Sequence, residues 1–300
     1  MTDPTIRFRG SMTALITPFR NGELDLAAFE KLVDLQLKSG TSGLIPCGTT
    51  GESPTLSHEE HHKVVEACVK VTAGRAPVIA GAGSNSTKEA IALTQHAQKV
   101  GADAVLSVSP YYNKPTQEGL YQHFKAIHDA SDIPIILYNI PPRSIVDISI
   151  ETMARLAELP RIVGVKDATQ DLARPLRTLK SLERLNKGFT QLSGEDHTTL
   201  PYLAQGGNGC ISVTANIAPK LCAEMHAAWA KGDWPTAQAI NLKLVAVHDA
   251  MFSEASPGPV KYAASLLGIC SEECRLPLAP VAEANKAKVQ AALKQAGLLS

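Results

Sequence analysis

Short runs of apolar and β-branched residues alternate along the chain with longer segments in which apolar positions recur every three or four residues. The short runs are typical of strands buried on both faces of a parallel sheet, and the longer segments are typical of amphipathic helices. The pattern predicts eight strands, at Met12–Thr17, Gly43–Cys47, Pro77–Gly81, Ala104–Ser109, Pro134–Asn139, Ile162–Lys166, Phe189–Ser193 and Gly209–Val213.

The helical segments carry their own start and stop signals. Ser57 with Glu60, and Ser86 with Glu89, have the S-x-x-E spacing of a capping box, in which both side chains bind free amides at the start of a helix. Glycines stand where three of the helical patterns should end, at Gly40, Gly74 and Gly101.

Eight strands that each precede a helix predict parallel pairing through right-handed crossovers, and eight such units fit a closed barrel. An open doubly wound sheet is the competing architecture, but no predicted strand is followed by a G-x-G-x-x-G turn. Past residue 230 the strand pattern stops, and helices are predicted at Pro235–Met251, Pro259–Gly268 and Ala279–Gly297. We therefore predict an α/β fold, with a (β/α)8 TIM barrel carrying the active site in residues 1–230 and a small C-terminal helical domain in residues 231–300.

Composition and charge narrow the classes of partner. The 29 basic and 29 acidic residues balance, and the absence of a basic run argues against nucleic acid or an anionic membrane as partner. No apolar stretch is long enough to span a bilayer, and residues 1–10 lack the apolar core of a signal peptide, which predicts a cytoplasmic protein. The six cysteines form no C-x-x-C pair, so we interpret most of them as small buried side chains.

Catalytic residues of a (β/α)8 barrel lie at the carboxyl ends of its strands. Lys166 ends the sixth predicted strand, in a segment expected to be buried on both faces. Burying an ammonium group is costly, and a neutral amine is a nucleophile that forms an imine with a ketone. The alternative interpretation is a lysine that leaves the strand end and pairs with Asp167.

Three further groups follow predicted strands, and each has a functional and an ordinary interpretation. Tyr138 could transfer protons to and from an imine, or it could close the barrel as an aromatic plug. Thr49 and Thr50, flanked by glycines, could bind a carboxylate through amides and hydroxyls, or they could form an ordinary turn. Arg143 could bind a second carboxylate through two hydrogen bonds, or it could be a solvated surface residue.

The segment from His58 to His62 matches the H-E-x-x-H pattern of zinc proteases. That pattern needs the middle of a helix in a cleft, whereas here it starts directly after the helix cap Ser57. We therefore expect no metal site. His58 and His61 are three residues apart and can share one face of a helix.

Taken together, the motifs resemble the dihydrodipicolinate synthase / N-acetylneuraminate lyase family over essentially the whole chain. The matching segments are Gly10–Phe19, Gly48–Glu52, Tyr138–Pro141, Gly164–Thr169, Gly209–Asn216 and Pro259–Lys261. The resemblance implies a lyase of the class I aldolase type on a TIM barrel. Within the family, Arg143 and the Thr49-Thr50 pair favour the members that condense pyruvate with L-aspartate 4-semialdehyde, in the diaminopimelate route of lysine biosynthesis. Sialic acid lyases lack that arginine and typically have Ser-Thr in place of the two threonines.

The resemblance also implies the roles of individual residues. Lys166 forms the Schiff base, and Thr50, Tyr138 and Tyr112 match a proton relay in which the last tyrosine comes from a second subunit. The residues implied in substrate binding are Thr49, Thr50, Arg143 and Ile211. No cofactor is implied, and the family is usually a homotetramer built as a dimer of dimers. A site for L-lysine as feedback inhibitor is implied at Ser53, His58, His61, Asn85, Glu89 and Tyr111.

Some positions depart from the usual family pattern. Asp167 stands where many members have glutamate, Pro142 precedes Arg143, and Ser256 to Pro259 replaces a more usual Asn-Pro-x-Pro. These departures leave open a paralogous pyruvate-dependent aldolase or dehydratase that acts on a keto-deoxy sugar acid. A non-catalytic lysine-binding or scaffold protein is the alternative from a different class, and the intact set of Lys166, Tyr138 and Thr50 argues against it.

Overall fold

The structure is a computed structural model of the chain and describes residues 3–185 and 187–300. The strands in these residues are β1 (Gly10–Ala14), β2 (Phe19–Arg20), β3 (Glu23–Leu24), β4 (Gly43–Ile45), β5 (Ile79–Gly81), β6 (Ala104–Val108), β7 (Ile135–Asn139), β8 (Ile162–Asp167), β9 (Thr190–Ser193) and β10 (Gly209–Ser212). The helices are α1 (Pro4–Arg7), α2 (Leu26–Lys38), α3 (His58–Thr72), α4 (Thr87–Lys99), α5 (Gln117–Asp129), α6 (Pro141–Ser144), α7 (Ile150–Ala157), α8 (Arg174–Leu182), α9 (Thr199–Ala204), α10 (Pro219–Ala230), α11 (Trp234–Met251), α12 (Gly258–Leu266) and α13 (Glu283–Gln295). Short 3₁₀ turns lie at Ser53–Thr55, Glu183–Leu185 and Thr214–Asn216.

All eight predicted strands are present, and together they form one eight-stranded sheet with helices between consecutive strands, the element order of a (β/α)8 barrel. The largest difference in bounds is at β1, which ends at Ala14 rather than at Thr17. The Leu15 amide still bonds the Ile45 carbonyl at 3.0 Å, but the Ile16 amide donates to the Asn216 side chain at 3.0 Å. A side chain therefore takes over the amide that would have continued the strand.

The chain divides into two compact units. The first contains residues 3–9 and 77–211, with strands β5 to β10 in the order β10-β9-β8-β7-β6-β5 and all pairs parallel. Every residue of β7 and β8 is buried, as expected for strands covered on both faces. In this register Lys166 lies beside Tyr138 on one neighbouring strand and beside Leu192 on the other.

The second unit contains residues 10–76 and 212–300. Its strands are the parallel pair β1 and β4 and the β2–β3 hairpin. Helix α10 packs on α11, which packs in turn on α13. Four buried residues form a small apolar cluster in this unit: Ala215, Ala218, Cys222 and Leu244. The three predicted C-terminal helices are confirmed, and the predicted domain border at residue 230 stays a prediction.

Two predicted helix caps differ in outcome. The Ser57 hydroxyl accepts from the Glu60 amide and the Glu60 carboxylate accepts from the Ser57 amide, so this capping box is complete. At α4 the Ser86 hydroxyl accepts from the Glu89 amide at 3.5 Å, but the Glu89 carboxylate accepts from the Ser84 hydroxyl instead. The second box is therefore only half formed, because a nearer hydroxyl competes for the carboxylate.

In the part of the chain that the structure describes, no helix combines the length and the apolar character needed to cross a bilayer.

Candidate active site

Lys166 is the penultimate residue of strand β8, which ends at Asp167, and it is 6% exposed. Its Nζ lies 4.4 Å from the centroid of the Tyr138 ring, on the neighbouring strand β7. Tyr138 is buried to the same degree. The Lys166 amine thus lies over the ring of Tyr138 at the carboxyl end of the sheet, and the ring belongs to the strand that pairs with β8. The arrangement suits a nucleophile and a proton donor that act on one substrate atom.

The residue after Lys166 is held by a buried ion pair. One carboxylate oxygen of Asp167, Oδ2, lies 3.2 Å from Nε of Arg174, and the other, Oδ1, accepts from the Thr169 amide at 2.9 Å. Burial raises the pKa of the Asp167 carboxyl, and the hydrogen bonds from Thr169 and the charge of Arg174 oppose that shift. Asp167 therefore pairs with Arg174, and the alternative in which Lys166 pairs with Asp167 has no contact to support it among the described residues.

The same guanidinium reaches the segment that follows strand β7. Arg174 Nη1 lies 3.0 Å from Oδ2 of Asp147, and Nη2 donates to the Ile148 carbonyl. The side-chain nitrogen of Asn139, Nδ2, donates to Asp147 Oδ1 at 2.7 Å, and its side-chain oxygen, Oδ1, accepts from the Ile148 backbone amide at 3.0 Å. Strand β7, strand β8 and the segment at Asp147 are thus held together by polar contacts.

Arg143 lies between these anchored points, in the single-turn helix α6. The helix begins at Pro141, and the Arg143 amide donates to the Ile140 carbonyl at 3.0 Å. Ser144 is buried, and its hydroxyl lies 2.9 Å from both the Ile140 and the Val146 carbonyl oxygens. The backbone at Arg143 is therefore fixed while the side chain is exposed, which suits a guanidinium that meets a ligand from solution.

Tyr112 follows strand β6 and has 88% of its surface exposed, with a left-handed backbone (φ +68°). This exposure is compatible with the prediction that the tyrosine serves a second copy of the chain. Ile211 is the third residue of strand β10 and is fully buried.

The second unit holds the predicted carboxylate-binding turn, Gly48 to Glu52. The Gly51 amide donates to the Gly48 carbonyl and the Glu52 amide to the Thr49 carbonyl, each at 3.1 Å. A side chain at Gly51 would meet the Cys47 amide nitrogen and the Leu15 carbonyl oxygen, each 3.1 Å from its first carbon, so the close approach of the backbone favours glycine there. Thr50 is buried and Thr49 is half-buried.

The end of this turn is anchored by a buried ion pair that the sequence did not predict. Glu52 has a left-handed backbone (φ 54°), and its Oε1 accepts from Lys261 Nζ at 2.6 Å while Oε2 accepts from the Arg275 amide at 2.9 Å. Lys261 Nζ also donates to the Glu273 carbonyl at 2.5 Å and lies 4.2 Å from the centroid of the Phe19 ring. The sequence offered one signal, since the segment Pro259–Lys261 matches the family pattern, but that match does not identify Glu52 as the partner of Lys261.

Glu195 is a second residue that sequence reasoning missed. It follows strand β9, where its amide donates to the Ser193 hydroxyl at 3.1 Å and its carbonyl accepts from the same hydroxyl at 2.9 Å. Burial raises the pKa of the Glu195 carboxyl, and the charge of Lys166 acts in the opposite direction. Its place after a strand end was the available signal, but in the sequence it lies in a polar Glu-Asp-His segment that is typical of a solvated loop.

The predicted lysine-site residues are divided between the two units. In the first unit Glu89 and Asn85 lie close to Tyr111, and burial together with the Glu89 charge raises the pKa of the Tyr111 phenol. In the second unit Ser53 begins a 3₁₀ turn, His58 is the exposed first residue of α3, and His61 is buried on the same helix. The H-E-x-x-H segment thus occupies the first turns of a helix, as predicted. Among the described residues no three His, Cys, Asp or Glu side chains are grouped to hold a metal ion.

Known proteins are similar to this chain over nearly its whole length. The family model of the dihydrodipicolinate synthetase family matches residues 7–296. The 4-hydroxy-tetrahydrodipicolinate synthase of Gluconacetobacter diazotrophicus is 62% identical over 297 residues, which are 99% of each chain.

Two solved structures add ligands to the comparison. The chloride-inhibited dihydrodipicolinate synthase of Acinetobacter baumannii complexed with pyruvate is 46% identical, with a TM-score of 0.93, and the match covers 97% of this chain and 99% of that one. The enzyme from Cyanidioschyzon merolae with lysine bound is 38% identical, with a TM-score of 0.93 and the same coverage. These likenesses confirm the (β/α)8 barrel as the fold class.

Proposed function

Because the chain belongs to the dihydrodipicolinate synthetase family, we propose that it condenses pyruvate with L-aspartate 4-semialdehyde through a Schiff base on Lys166. The product is 4-hydroxy-tetrahydrodipicolinate, in the diaminopimelate route to lysine, and the enzyme is a lyase. The observation that carries the assignment of the nucleophile is the buried Lys166 amine at a strand end, 4.4 Å from the centroid of the Tyr138 ring.

The first half of the reaction makes an enamine from pyruvate. The neutral Lys166 amine attacks the ketone carbon, and water leaves after proton transfers through Tyr138 and Thr50, with Tyr112 of a second copy completing the relay. Thr49 and Thr50 bind the carboxylate of pyruvate, and the buried Ile211 borders the same substrate. The resulting iminium withdraws electrons, so the methyl group loses a proton. The iminium on Lys166 is thus the electron sink, and neither a metal nor an organic cofactor is required.

The second half joins the two substrates. The enamine carbon attacks the aldehyde carbon of the semialdehyde, whose carboxylate binds the exposed guanidinium of Arg143. The amine of the semialdehyde then attacks the iminium carbon and displaces Lys166, which closes the ring and frees the enzyme. Apart from proton transfers, the bonds that form or break involve only the two substrates, Lys166 and the water that leaves, so the other residues bind, orient or move protons.

Regulation and assembly form the finer part of the proposal. The relative from Cyanidioschyzon merolae binds lysine. In this chain we place an effector L-lysine at Ser53, His58, His61, Asn85, Glu89 and Tyr111. Glu89 is the partner proposed for the ammonium group. The proposed role of the exposed Tyr112 in the relay needs a second copy of the chain, and a homotetramer built as a dimer of dimers is the proposed assembly, in the cytoplasm.

The test is turnover of pyruvate with L-aspartate 4-semialdehyde, coupled to the reductase that consumes the ring product, with and without millimolar lysine. We expect turnover that falls when lysine is added. A folded protein that forms a borohydride-reducible adduct with pyruvate but does not use the semialdehyde would contradict the second substrate and favour a keto-deoxy sugar acid. Unchanged turnover with lysine would remove the effector site alone.

A further inference from the structure

Arg174 is a buried cation that the proposed mechanism does not use. It is the first residue of helix α8, with 9% of its side chain exposed. Each of its three side-chain nitrogens contacts a different partner. Nε lies beside Asp167, Nη1 lies beside Asp147, and Nη2 donates to the Ile148 carbonyl. A planar guanidinium can satisfy three partners in fixed directions, whereas an ammonium group cannot reproduce that fork.

The partners of Arg174 belong to the two segments that carry the substrate groups. Asp167 directly follows Lys166 on strand β8. Asp147 and Ile148 end the segment that leaves strand β7 and contains the exposed Arg143. Asn139, the last residue of β7, binds both Asp147 and Ile148 from the other side. The Arg143 segment is therefore fixed at both of its ends, and Arg174 is the link from its far end to the lysine strand.

We propose that Arg174 is a positioning residue for the second substrate. Through Asp147 and Ile148 it holds the Arg143 segment at the distance from Lys166 at which the bound semialdehyde presents its aldehyde carbon to the enamine. This inference rests on the proposed function, because it assigns the semialdehyde carboxylate to Arg143. It assigns no contact between Arg174 and either substrate.

The contact with Asp147 indicates positioning rather than general stabilisation. Asp147 has 47% of its side chain exposed, so water screens its charge and the pair contributes little to folding. A small shift of the Arg143 segment would nevertheless matter for the reaction, since misplacement of a reacting group by about 1 Å can lower a rate on the order of 100-fold. A change at Asp147 should spare the pyruvate half of the reaction, because none of its proposed groups lies on that segment.

The experiment compares wild type with Asp147→Asn and Arg174→Lys. For each, kcat and KM are measured for both substrates, and the pyruvate imine is trapped with borohydride and weighed by mass spectrometry. We expect KM for the semialdehyde to rise about 3- to 10-fold in Asp147→Asn and about tenfold or more in Arg174→Lys. In Asp147→Asn, KM for pyruvate and the trapped imine should stay within about twofold of wild type.

Arg177→Lys is the matched control. Arg177 lies on the same helix, is exposed and pairs only with Asp171 among the described contacts, at 3.0 Å. We expect this variant to behave as wild type.

Three results would overturn the proposal: Asp147→Asn with unchanged semialdehyde KM, equal changes in both KM values, or the same change in Arg177→Lys. Wild-type protein without turnover would overturn the proposed function and this inference together. Normal wild-type turnover with any of the three results overturns this inference alone.

Discussion

The two units each contain a buried ion pair close to a predicted substrate-binding segment, and the two pairs differ in their access to water. In the second unit Lys261 and Glu52 are 0% and 1% exposed in their side chains and lie 2.6 Å apart. In the first unit Arg174 bridges Asp167, which is 4% exposed, and Asp147, which is 47% exposed. The Lys261–Glu52 pair is thus fully excluded from water, whereas the contacts of Arg174 extend from the interior to the surface.

This difference sets what each pair can do. A dry ion pair recovers its desolvation cost only while both charges and their hydrogen bonds are in place, so the loss of one partner strands a charge. A pair that reaches water can exchange a partner for solvent at small cost. The Lys261–Glu52 pair should therefore control whether the second unit folds, and the Arg174 network should control where a surface segment lies. Substitutions can test that contrast.

The largest effect is expected at Lys166, the proposed nucleophile. Lys166→Ala removes the nucleophile, so turnover should fall by several orders of magnitude and the pyruvate adduct should disappear. The measurement is coupled turnover together with borohydride trapping. Lys180→Ala is the control, because Lys180 is exposed and pairs only with exposed Glu183 among the described contacts. Full activity in Lys166→Ala would refute the mechanism.

The next effect is on folding, at the dry pair. Lys261→Met leaves the Glu52 carboxylate buried without its cation, which should lower the free energy of unfolding by about 3–5 kcal/mol. Denaturant unfolding measures the change, and Lys63→Met, at an exposed pair with Glu59, should change it by less than about 1 kcal/mol. The double variant Lys261→Met with Glu52→Gln should recover part of the loss. A double variant as unstable as the single one would show that the stranded charge is not the cause.

A smaller effect depends on pH. Hydrogen bonds from Arg275 hold the pKa of Glu60 at about 2, below its usual 4.5. A depressed carboxyl pKa contributes stability above the unfolded pKa and loses that contribution as the pH falls through the folded value. Glu60→Gln should therefore destabilise the protein on the order of 1 kcal/mol at pH 6, and the difference from wild type should shrink between about pH 4.5 and pH 2. Urea unfolding at both ends of this range is the measurement, and a constant difference would contradict it.

The smallest effect is expected at Asp147, the solvent-exposed partner of Arg174. Asp147→Asn should change the free energy of unfolding by less than about 1 kcal/mol, because the lost charge pair is half exposed. The same variant is expected to raise the semialdehyde KM, so stability and substrate binding should separate. A loss of stability comparable to that of Lys261→Met would remove the contrast between the two pairs.

The elements of the fold were predictable because local periodicity specifies them. Strand β8 was predicted to end at Lys166 and ends one residue later, at Asp167, since a short apolar run flanked by polar residues has few other interpretations. The barrel rule then placed Lys166 and Tyr138 at one end of the sheet, and their register as neighbours confirms it.

The two ion pairs were not predictable in this way. Glu52 and Lys261 are 209 residues apart, and no periodicity joins them. Arg174 begins a helix after a polar stretch, where an arginine is ordinarily solvated. It is buried, and able to bind several partners, only because other parts of the folded unit cover it. The half-formed box at Ser86 has a similar origin, because the competing hydroxyl of Ser84 depends on how the loop bends.

The distance between Glu52 and Lys261 along the chain also sets an order of events during synthesis. At about 5–20 residues per second, the ribosome makes Lys261 roughly 10–40 s after Glu52. Until then the carboxylate that ends the Gly48 to Glu52 turn has no cation to bury with it, and it stays in water. The turn proposed to bind pyruvate therefore reaches its final form only when the C-terminal helices have been made. A nascent or truncated chain that lacks them carries its catalytic lysine without a finished binding turn.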